Sequence, residues 1–230
     1  MGEYMTLPPK KLLLLDQDLH DFHRYLDSFM TASEDEKPIP MMHEFVSISK
    51  EQQWSRHDVI WLTIAVCQAI RPLVSTLSNI LHYLLINPSE KERLLQNTEP
   101  NKRSDLIHEL IIKNVSIRNM LRIAKKNKTV NGHVFQAGDQ VEIDLPKVNR
   151  DFLASIKAGK KNISDLPFHL SFGLGNHRCP GGLISYFLIK SIVQALFERF
   201  PNMTIRNSVP VHWYSTDITH SIKNLPVKLT

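Results

Sequence analysis

The stretch FGLGNHRCPG, from Phe172 to Gly181, sets the questions for the rest of the chain. It combines glycines, a histidine and one cysteine, and a long apolar segment that is predicted to be a helix follows it directly. Gly175 and Gly181 permit a tight turn that directs backbone amides toward the sulfur of Cys179. The pattern therefore indicates a loop that holds a chemical group through a single sulfur atom.

Cys179 is placed where a thiolate is favoured. The dipole and the free N–H groups of a helix N terminus stabilise negative charge, and His177 and Arg178 add positive charge nearby. Such a sulfur can ligate a metal or attack an electrophile. No second Cys or His stands at the spacing of a zinc site, whereas a single thiolate is a known protein ligand of haem iron. The loop therefore favours haem ligation.

The composition is that of an ordinary globular protein. The chain has 230 residues, of which 42% are hydrophobic, enough for one sizeable core. The formal net charge of +5 comes from scattered Lys and Arg without a block of like charges, which argues against nucleic-acid binding. The two cysteines, Cys67 and Cys179, do not indicate a disulfide framework.

The sequence indicates a cytoplasmic protein without a membrane span. Its longest uncharged apolar run, Val59 to Ile70, is too short to cross a bilayer and ends at Arg71. The KKLLLL segment at residues 10–15 resembles a signal sequence, but Asp16 and Asp18 end its apolar region and no small-residue cleavage site follows.

The spacing of apolar residues predicts a mainly α-helical fold with small β hairpins. Helices are predicted over residues 12–30, 55–86, 88–96, 104–114 and 183–200. Short strands are predicted over residues 117–124, 130–135 and 141–145, and short strands and turns over residues 203–206, 209–214 and 225–229 of the C-terminal tail. Asn131-Gly132 is a strong hairpin signal, and residues 146–167 are predicted to form a loop. We expect an N-terminal amphipathic helix and linker over residues 1–50, and a domain that carries the cysteine loop over residues 51–230.

One predicted helix contains a proline. Pro72 stands inside the 55–86 segment, where an interior proline removes a backbone hydrogen bond and costs about 3 kcal/mol unless the helix is kinked. Arg71 stands beside it in otherwise apolar surroundings, so we expect its side chain to pair with a carboxylate or to face a wet cavity.

The cysteine loop meets the FxxGxxxCxG signature and so resembles the cytochrome P-450 family, with HLSFGLGNHRCPGG similar to its bacterial soluble members. VNRD at Val148 to Asp151 resembles the family's ANRD segment, and Asn87-Pro88 resembles the end of its long distal helix. The resemblance begins near Ser55 and implies the C-terminal half of the cytochrome P-450 fold. It also implies haem b (iron protoporphyrin IX) as the cofactor, with Cys179 as the ligand of its iron.

The resemblance identifies further residues that would hold the haem. Arg122 and His177 match the two positions at which the family binds the haem propionates. The other loop positions expected to contact the cofactor are Phe172, Gly173, Gly175 and Gly181.

The sequence departs from the family at two places. Arg71 and Pro72 stand where the distal helix carries an acid–threonine pair, and this is similar to the fatty-acid peroxygenase branch, in which the arginine binds the substrate carboxylate. The two residues are therefore the candidate catalytic positions. Glu109 of the ExxR pair is present, but Ile112 stands where its arginine belongs. For the arginine that completes this network in the family, the nearest candidate is Lys160 or Lys161.

The resemblance implies a haem-thiolate oxidoreductase of the monooxygenase or peroxygenase class. Because of Pro72, we expect a peroxide-dependent or non-oxidative haem reaction on a small organic substrate. Arg71 would suit an anionic substrate. The alternative is a haem-binding, non-catalytic partner protein or pseudoenzyme. Family members are roughly twice as long, so an apolar haem side would be exposed, and we expect a homodimer or an obligate partner to cover it.

Overall fold

The computed structural model describes residues 9–31, 40–159 and 169–229. The chain divides into two compact units, one that ends at Arg71 and one that begins at Pro72. The division falls inside the long helix α3 (Arg56–Ile86).

The N-terminal unit contains α1 (Pro9–Thr31), α2 (Pro40–Gln52) and the first part of α3. A reciprocal cap begins α3: the Ser55 backbone N–H and hydroxyl donate to the Asp58 carboxylate at 2.9 and 2.6 Å, and the Asp58 N–H donates to the Ser55 hydroxyl at 3.2 Å. Satisfying these end groups explains why the helix starts here rather than at its first apolar residue.

The C-terminal unit is built from helices around one apolar core. After α3 come α4 (Pro88–Gln96), α5 (Pro100–Asn114), α6 (Leu145–Lys157) and α7 (Gly182–Arg199), and α5 packs against both α6 and α7. The core residues with the least exposure are Ile80, Leu84, Ile107, Ile111, Ile189, Val193 and Phe197. These side chains come from α3, α5 and α7, so the three helices form the centre of the unit.

The described part of the chain also contains four antiparallel strand pairs. They are β1 (Asn119–Ile123) with β4 (Gln140–Asp144), β2 (Lys128–Val130) with β3 (His133–Phe135), β5 (Thr204–Ile205) with β8 (Val227–Lys228), and β6 (His212–Ser215) with β7 (His220–Asn224). The β2–β3 turn has positive φ at Asn131 (49°) and Gly132 (80°), the conformation that an Asn-Gly hairpin requires. The prediction of a mainly α-helical fold with small hairpins is confirmed.

One stretch was predicted wrongly. Residues 146–157 form most of α6, whereas the sequence predicted a loop from residue 146 to residue 167. The Asp144 carboxylate caps the helix by accepting the Lys147 N–H at 2.8 Å, and Pro146 stands in the first turn, where its missing N–H costs nothing. Residues 160–168, which include Lys160 and Lys161, lie outside the described residues. Helix α2 and strand β7 were not predicted.

The uncharged run within helix α3, Val59 to Ile70, is too short by itself to cross a membrane, because Arg71 ends it. By length and composition alone, however, the whole helix is long and apolar enough to do so. Buried core helices have the same property. Its last turns pack in the core of the C-terminal unit, where Ile80 and Leu84 are fully buried.

Candidate functional site

The cysteine loop is closed by one backbone hydrogen bond. The Cys179 N–H donates to the Phe172 carbonyl oxygen at 2.7 Å, which fixes the two ends of the signature stretch against each other. Between them the backbone turns at Gly173 (φ 71°) and Gly175 (φ 70°), both in the region that favours glycine. The structure therefore brings together the loop residues that the sequence identified.

Close contacts explain two of the glycines. A Cβ at Gly173 would lie 3.3 Å from the His177 carbonyl oxygen, in addition to the strain of its positive φ. A Cβ at Gly182 would lie 3.2 Å from Cγ of Phe172, because that ring packs directly on the start of α7. Gly181 differs, since its Cβ would make only an ordinary contact of 3.9 Å with the Cys179 sulfur.

Cys179 is exposed and stands just before α7. Four large apolar residues on the first turns of this helix are exposed as well, and we call them the apolar α7 face: Leu183 (69% exposed), Ile184 (66%), Phe187 (53%) and Leu188 (41%). A thiol beside an open apolar surface suits a flat, apolar group held through the sulfur.

The two predicted propionate donors lie on different elements. His177 is exposed in the loop itself, and Arg122 is exposed on β1, where its guanidinium donates to the Leu121 carbonyl oxygen at 2.9 Å. Across the described ranges, no hydrogen bond or ion pair joins Arg122 to the cysteine loop. The role of Arg122 in binding a propionate stays a prediction.

Arg71 and Pro72 are adjacent on α3 but fall on either side of the division between the two units. Arg71 is exposed, and Pro72 is half-buried. The Pro72 carbonyl oxygen accepts a hydrogen bond from the Ser116 hydroxyl at 3.2 Å, and this hydroxyl also accepts one from Thr76 at 3.1 Å. Sequence reasoning missed both hydroxyls, although a threonine one turn after Pro72 on an apolar helix was a usable signal.

Glu109 keeps cationic partners despite the loss of the ExxR arginine. Its carboxylate lies 3.0 Å from Lys113 Nζ, one turn along α5, and 3.1 Å from the Arg93 guanidinium. Burial acts to raise the pKa of Glu109, but the hydrogen bonds and charges of Lys113 and Arg93 outweigh it, and the net pKa is lowered. The network is thus rearranged around Lys113 rather than lost at Ile112.

Asn149, within the VNRD segment, connects α5 to the cysteine loop. Its side chain is 1% exposed, and its amide donates to the Ile112 carbonyl oxygen at 3.3 Å and to the Ser171 hydroxyl at 2.9 Å. Ser171 immediately precedes Phe172, whose carbonyl oxygen receives the Cys179 N–H. The sequence identified VNRD only by resemblance and did not reveal this positioning role.

A buried histidine precedes the loop. His169 is 3% exposed, its Nδ1 accepts the Ser171 N–H at 3.2 Å, and its ring meets the edge of His108 at a centroid distance of 5.6 Å. Burial lowers the pKa of His169 from its ordinary 6.5 to about 3, and the positive charges of His108 and Arg178 act in the same direction. The ring is therefore neutral at pH 7.

The chain matches no family model, but the curated proteins to which it is similar are cytochromes P-450. It is 24% identical over 196 residues to cytochrome P-450 105A3 of Streptomyces carbophilus, covering 83% of this chain and 47% of that protein. It is also 24% identical over 224 residues to the polyketide biosynthesis cytochrome P-450 PksS of Bacillus subtilis, covering 94% of this chain and 54% of that protein. The chain thus spans about half the length of these curated relatives.

Solved structures show the same fold. The crystal structure of CYP109E1 from Bacillus megaterium in complex with testosterone superposes with a TM-score of 0.80 at 19% identity, over 96% of this chain and 59% of that one. The chain therefore has the fold of part of a cytochrome P-450, and the curated proteins to which it is similar are cytochromes P-450.

Proposed function

We propose that the chain is a haem-thiolate oxidoreductase of the cytochrome P-450 type, in which the Cys179 sulfur ligates the iron of haem b. The observation that carries this proposal is the cysteine loop: an exposed sulfur next to α7, with its backbone fixed by the 2.7 Å bond between Cys179 and Phe172. When bound, a thiolate-ligated haem supplies redox chemistry toward oxygen or peroxide.

The residues around the sulfur fit such a group. A porphyrin is flat and largely apolar, and the apolar α7 face offers exposed side chains such as Leu183 and Ile184 beside the thiol. Glycines at residues 173 and 175 keep side chains off the backbone between Phe172 and Cys179. His177 and Arg122 are the residues that would bind the propionates.

We propose that Arg71 binds the carboxylate of a small anionic substrate. An arginine matches a carboxylate with a bidentate pair of hydrogen bonds, and Pro72 next to it has no hydroxyl with which to hold or pass a proton. A carboxylate held by Arg71 would itself be available to hold and return a proton. This arrangement favours peroxide as the oxidant.

We further propose that a second protein surface, in a homodimer or with an obligate partner, covers the part of the apolar α7 face that haem leaves open. Side chains such as Phe187, with 53% of its surface exposed, form a patch of the kind that marks interfaces. The protein is proposed to be cytoplasmic. Light scattering during gel filtration of the haem-loaded chain should give at least a dimer mass if the second surface is another copy of the chain, and a monomer mass would contradict the homodimer.

The alternative function is a haem-binding partner protein without catalysis. It is favoured by the substitution of Ile112 for the ExxR arginine and of Pro72 for the acid–threonine pair. This alternative predicts stoichiometric haem binding with no product under any oxidant.

Peroxide-driven oxidation of myristate by the haem-loaded chain tests the proposal. We expect turnover of the acid, little turnover of methyl myristate, and a loss of at least about tenfold with the acid for Arg71→Ala, because a charge-assisted pair to the carboxylate is lost. Arg150→Ala, at an exposed arginine on α6, is the matched control. Equal turnover in Arg71→Ala would refute the role of Arg71, and haem binding without turnover of either compound would favour the alternative.

A further inference from the structure

A cavity lies in the C-terminal unit, and its described lining does not include the cysteine loop. Its volume is about 380 Å³, and it is open to solvent on one side. It is lined by the end of α3, the end of α5 and the β6–β7 pair, and within the described residues none of its lining comes from residues 169–182. The volume is near the lower end of the range for small-molecule sites, which suits a ligand with one ring.

The lining carries positive charge without a carboxylate. Arg118 and Lys113 both line the cavity, and the lining includes no Asp or Glu among the described residues. Lys113 is already paired, with Glu109 at 3.0 Å and Glu90 at 3.7 Å. The guanidinium of Arg118, by contrast, makes no ion pair within the described ranges. It is therefore the group with capacity for an incoming anion.

The backbone of Arg118 is held firmly. Its N–H donates to the Ile218 carbonyl oxygen at 2.7 Å, and its carbonyl oxygen accepts the Leu145 N–H at 2.8 Å. The preceding residue, Ile117, forms a bridge with Thr219. The side chain thus starts from a backbone that is already fixed at the cavity wall. Less conformational entropy is therefore lost when Arg118 binds a ligand.

Aromatic rings form another part of the wall. The Trp213 ring stacks on His220 with a centroid distance of 4.7 Å and an angle of 12°, and His82 meets Trp213 edge-on at 5.2 Å. Burial lowers the pKa of His82, and burial together with the charge of Arg118 lowers the pKa of His220. Both histidines are thus aromatic, neutral wall groups at pH 7, and the positive charge is concentrated at Arg118.

We propose that this cavity binds a small aromatic carboxylate, with Arg118 on the carboxylate and the ring of the ligand against the Trp213–His220 wall. An arginine and a carboxylate form a charge-assisted, bidentate pair, and flat rings stack on Trp and His. A neutral aromatic molecule lacks the partner for Arg118, and an aliphatic acid lacks the ring for the wall. The site is independent of haem and of the proposed function.

Isothermal titration calorimetry of the full chain at pH 7.5 tests this site, with benzoate as the probe, benzamide as its neutral match and cyclohexanecarboxylate as its non-aromatic match. We expect benzoate to bind at least about tenfold more tightly than benzamide, because only the acid can form the charged pair. Cyclohexanecarboxylate should bind several-fold more weakly than benzoate.

Variants locate the binding. Arg118→Gln should weaken benzoate at least about tenfold, Arg118→Lys should give an intermediate loss, and Trp213→Leu should weaken benzoate several-fold. Arg206→Gln, at an exposed arginine of the same unit that does not line the cavity, should leave the affinity unchanged. Arg71→Gln separates this site from the proposed substrate site.

Three results would overturn the proposal: no benzoate binding at millimolar concentration, equal affinity for benzoate and benzamide, or full affinity in Arg118→Gln. Loss of benzoate binding in Arg71→Gln but not in Arg118→Gln would assign the binding to the substrate site instead. Circular dichroism of each variant confirms folding, and Arg118→Lys with Trp213→Leu keeps the test decisive if Arg118→Gln fails to fold.

Discussion

Acid should destabilise the protein through His169, the buried histidine that caps the turn before the cysteine loop. Burial holds its pKa at about 3 in the folded chain, against 6.5 when the ring is free in water. At pH 7.5 and above the ring is almost entirely neutral in both states, so proton binding contributes almost nothing to unfolding. As the pH falls from 6.5 toward 3, the unfolded chain binds a proton that the folded chain cannot accept, and unfolding is favoured.

The size of the effect follows from the two pKa values. At pH 5 the unfolded histidine is about 97% protonated, whereas the buried ring is about 99% neutral, and linkage converts this difference into about 2 kcal/mol. The same difference corresponds to about a 30-fold increase in the unfolding equilibrium constant. At pH 7.5 the penalty is close to zero.

Urea unfolding followed by circular dichroism at pH 7.5 and pH 5.0 measures this loss, with His169→Asn as the matched variant. Asparagine keeps an acceptor for the Ser171 N–H but cannot be protonated in this range. Wild type should lose about 2 kcal/mol more than His169→Asn between the two pH values. Two other histidines with lowered pKa values, His82 and His220, are present in both chains and cancel in the comparison. Equal losses in the two chains would refute the reasoning.

Three substitutions test the support of the cysteine loop. Asn149→Ala should lower the free energy of unfolding by about 1–3 kcal/mol and weaken haem binding, because the Ile112 carbonyl oxygen loses the Asn149 amide as its hydrogen-bond donor. Its control, Asn101→Ala at an exposed position of α5, should change the free energy of unfolding by less than about 0.5 kcal/mol. Glu109→Gln should cost about 1–3 kcal/mol in urea unfolding, because Lys113 loses its 3.0 Å partner in a half-buried site. Gly173→Ala should reduce the haem-to-protein ratio at constant helix content, because φ is 71° and the new Cβ would lie 3.3 Å from a carbonyl oxygen.

Each of these expectations has a contradicting outcome. Equal stability of Asn149→Ala and Asn101→Ala would show that the amide does not hold the loop. An unchanged free energy of unfolding in Glu109→Gln would show that the ion pairs contribute nothing to stability. Full haem retention in Gly173→Ala would show that the loop backbone relaxes without disturbing the sulfur.

Local chemistry explains what the sequence predicted well. The cysteine loop is fixed by glycines and a cysteine within ten consecutive positions, so its turns and its place before a helix follow from neighbouring residues. The Asn131-Gly132 hairpin is equally local, and the structure has the expected positive φ at both residues. The start of α3 is also local: the sequence predicts a helix from residue 55, and the Ser55–Asp58 cap fixes its first residue at Arg56.

What the sequence missed depends on contacts between distant segments, or on one ambiguous residue. Pro146 reads equally as a loop residue or as the first turn of a helix, and the Asp144 cap decides for the helix. The roles of Asn149 and His169 arise only when α6, α5 and the loop come together, since each side chain is ordinary in its own stretch of sequence. The pairing of Glu109 with Arg93 likewise joins α5 to α4.

The reduced carbon monoxide spectrum of the haem-loaded chain tests the central claim most directly. Both cysteines are exposed and free, so Cys67→Ala is a matched control for Cys179→Ala. Wild type and Cys67→Ala should show the red-shifted Soret band of a thiolate-ligated haem, and Cys179→Ala should lose it. A red-shifted band that survives in Cys179→Ala would contradict the assignment of Cys179 as the ligand of the iron.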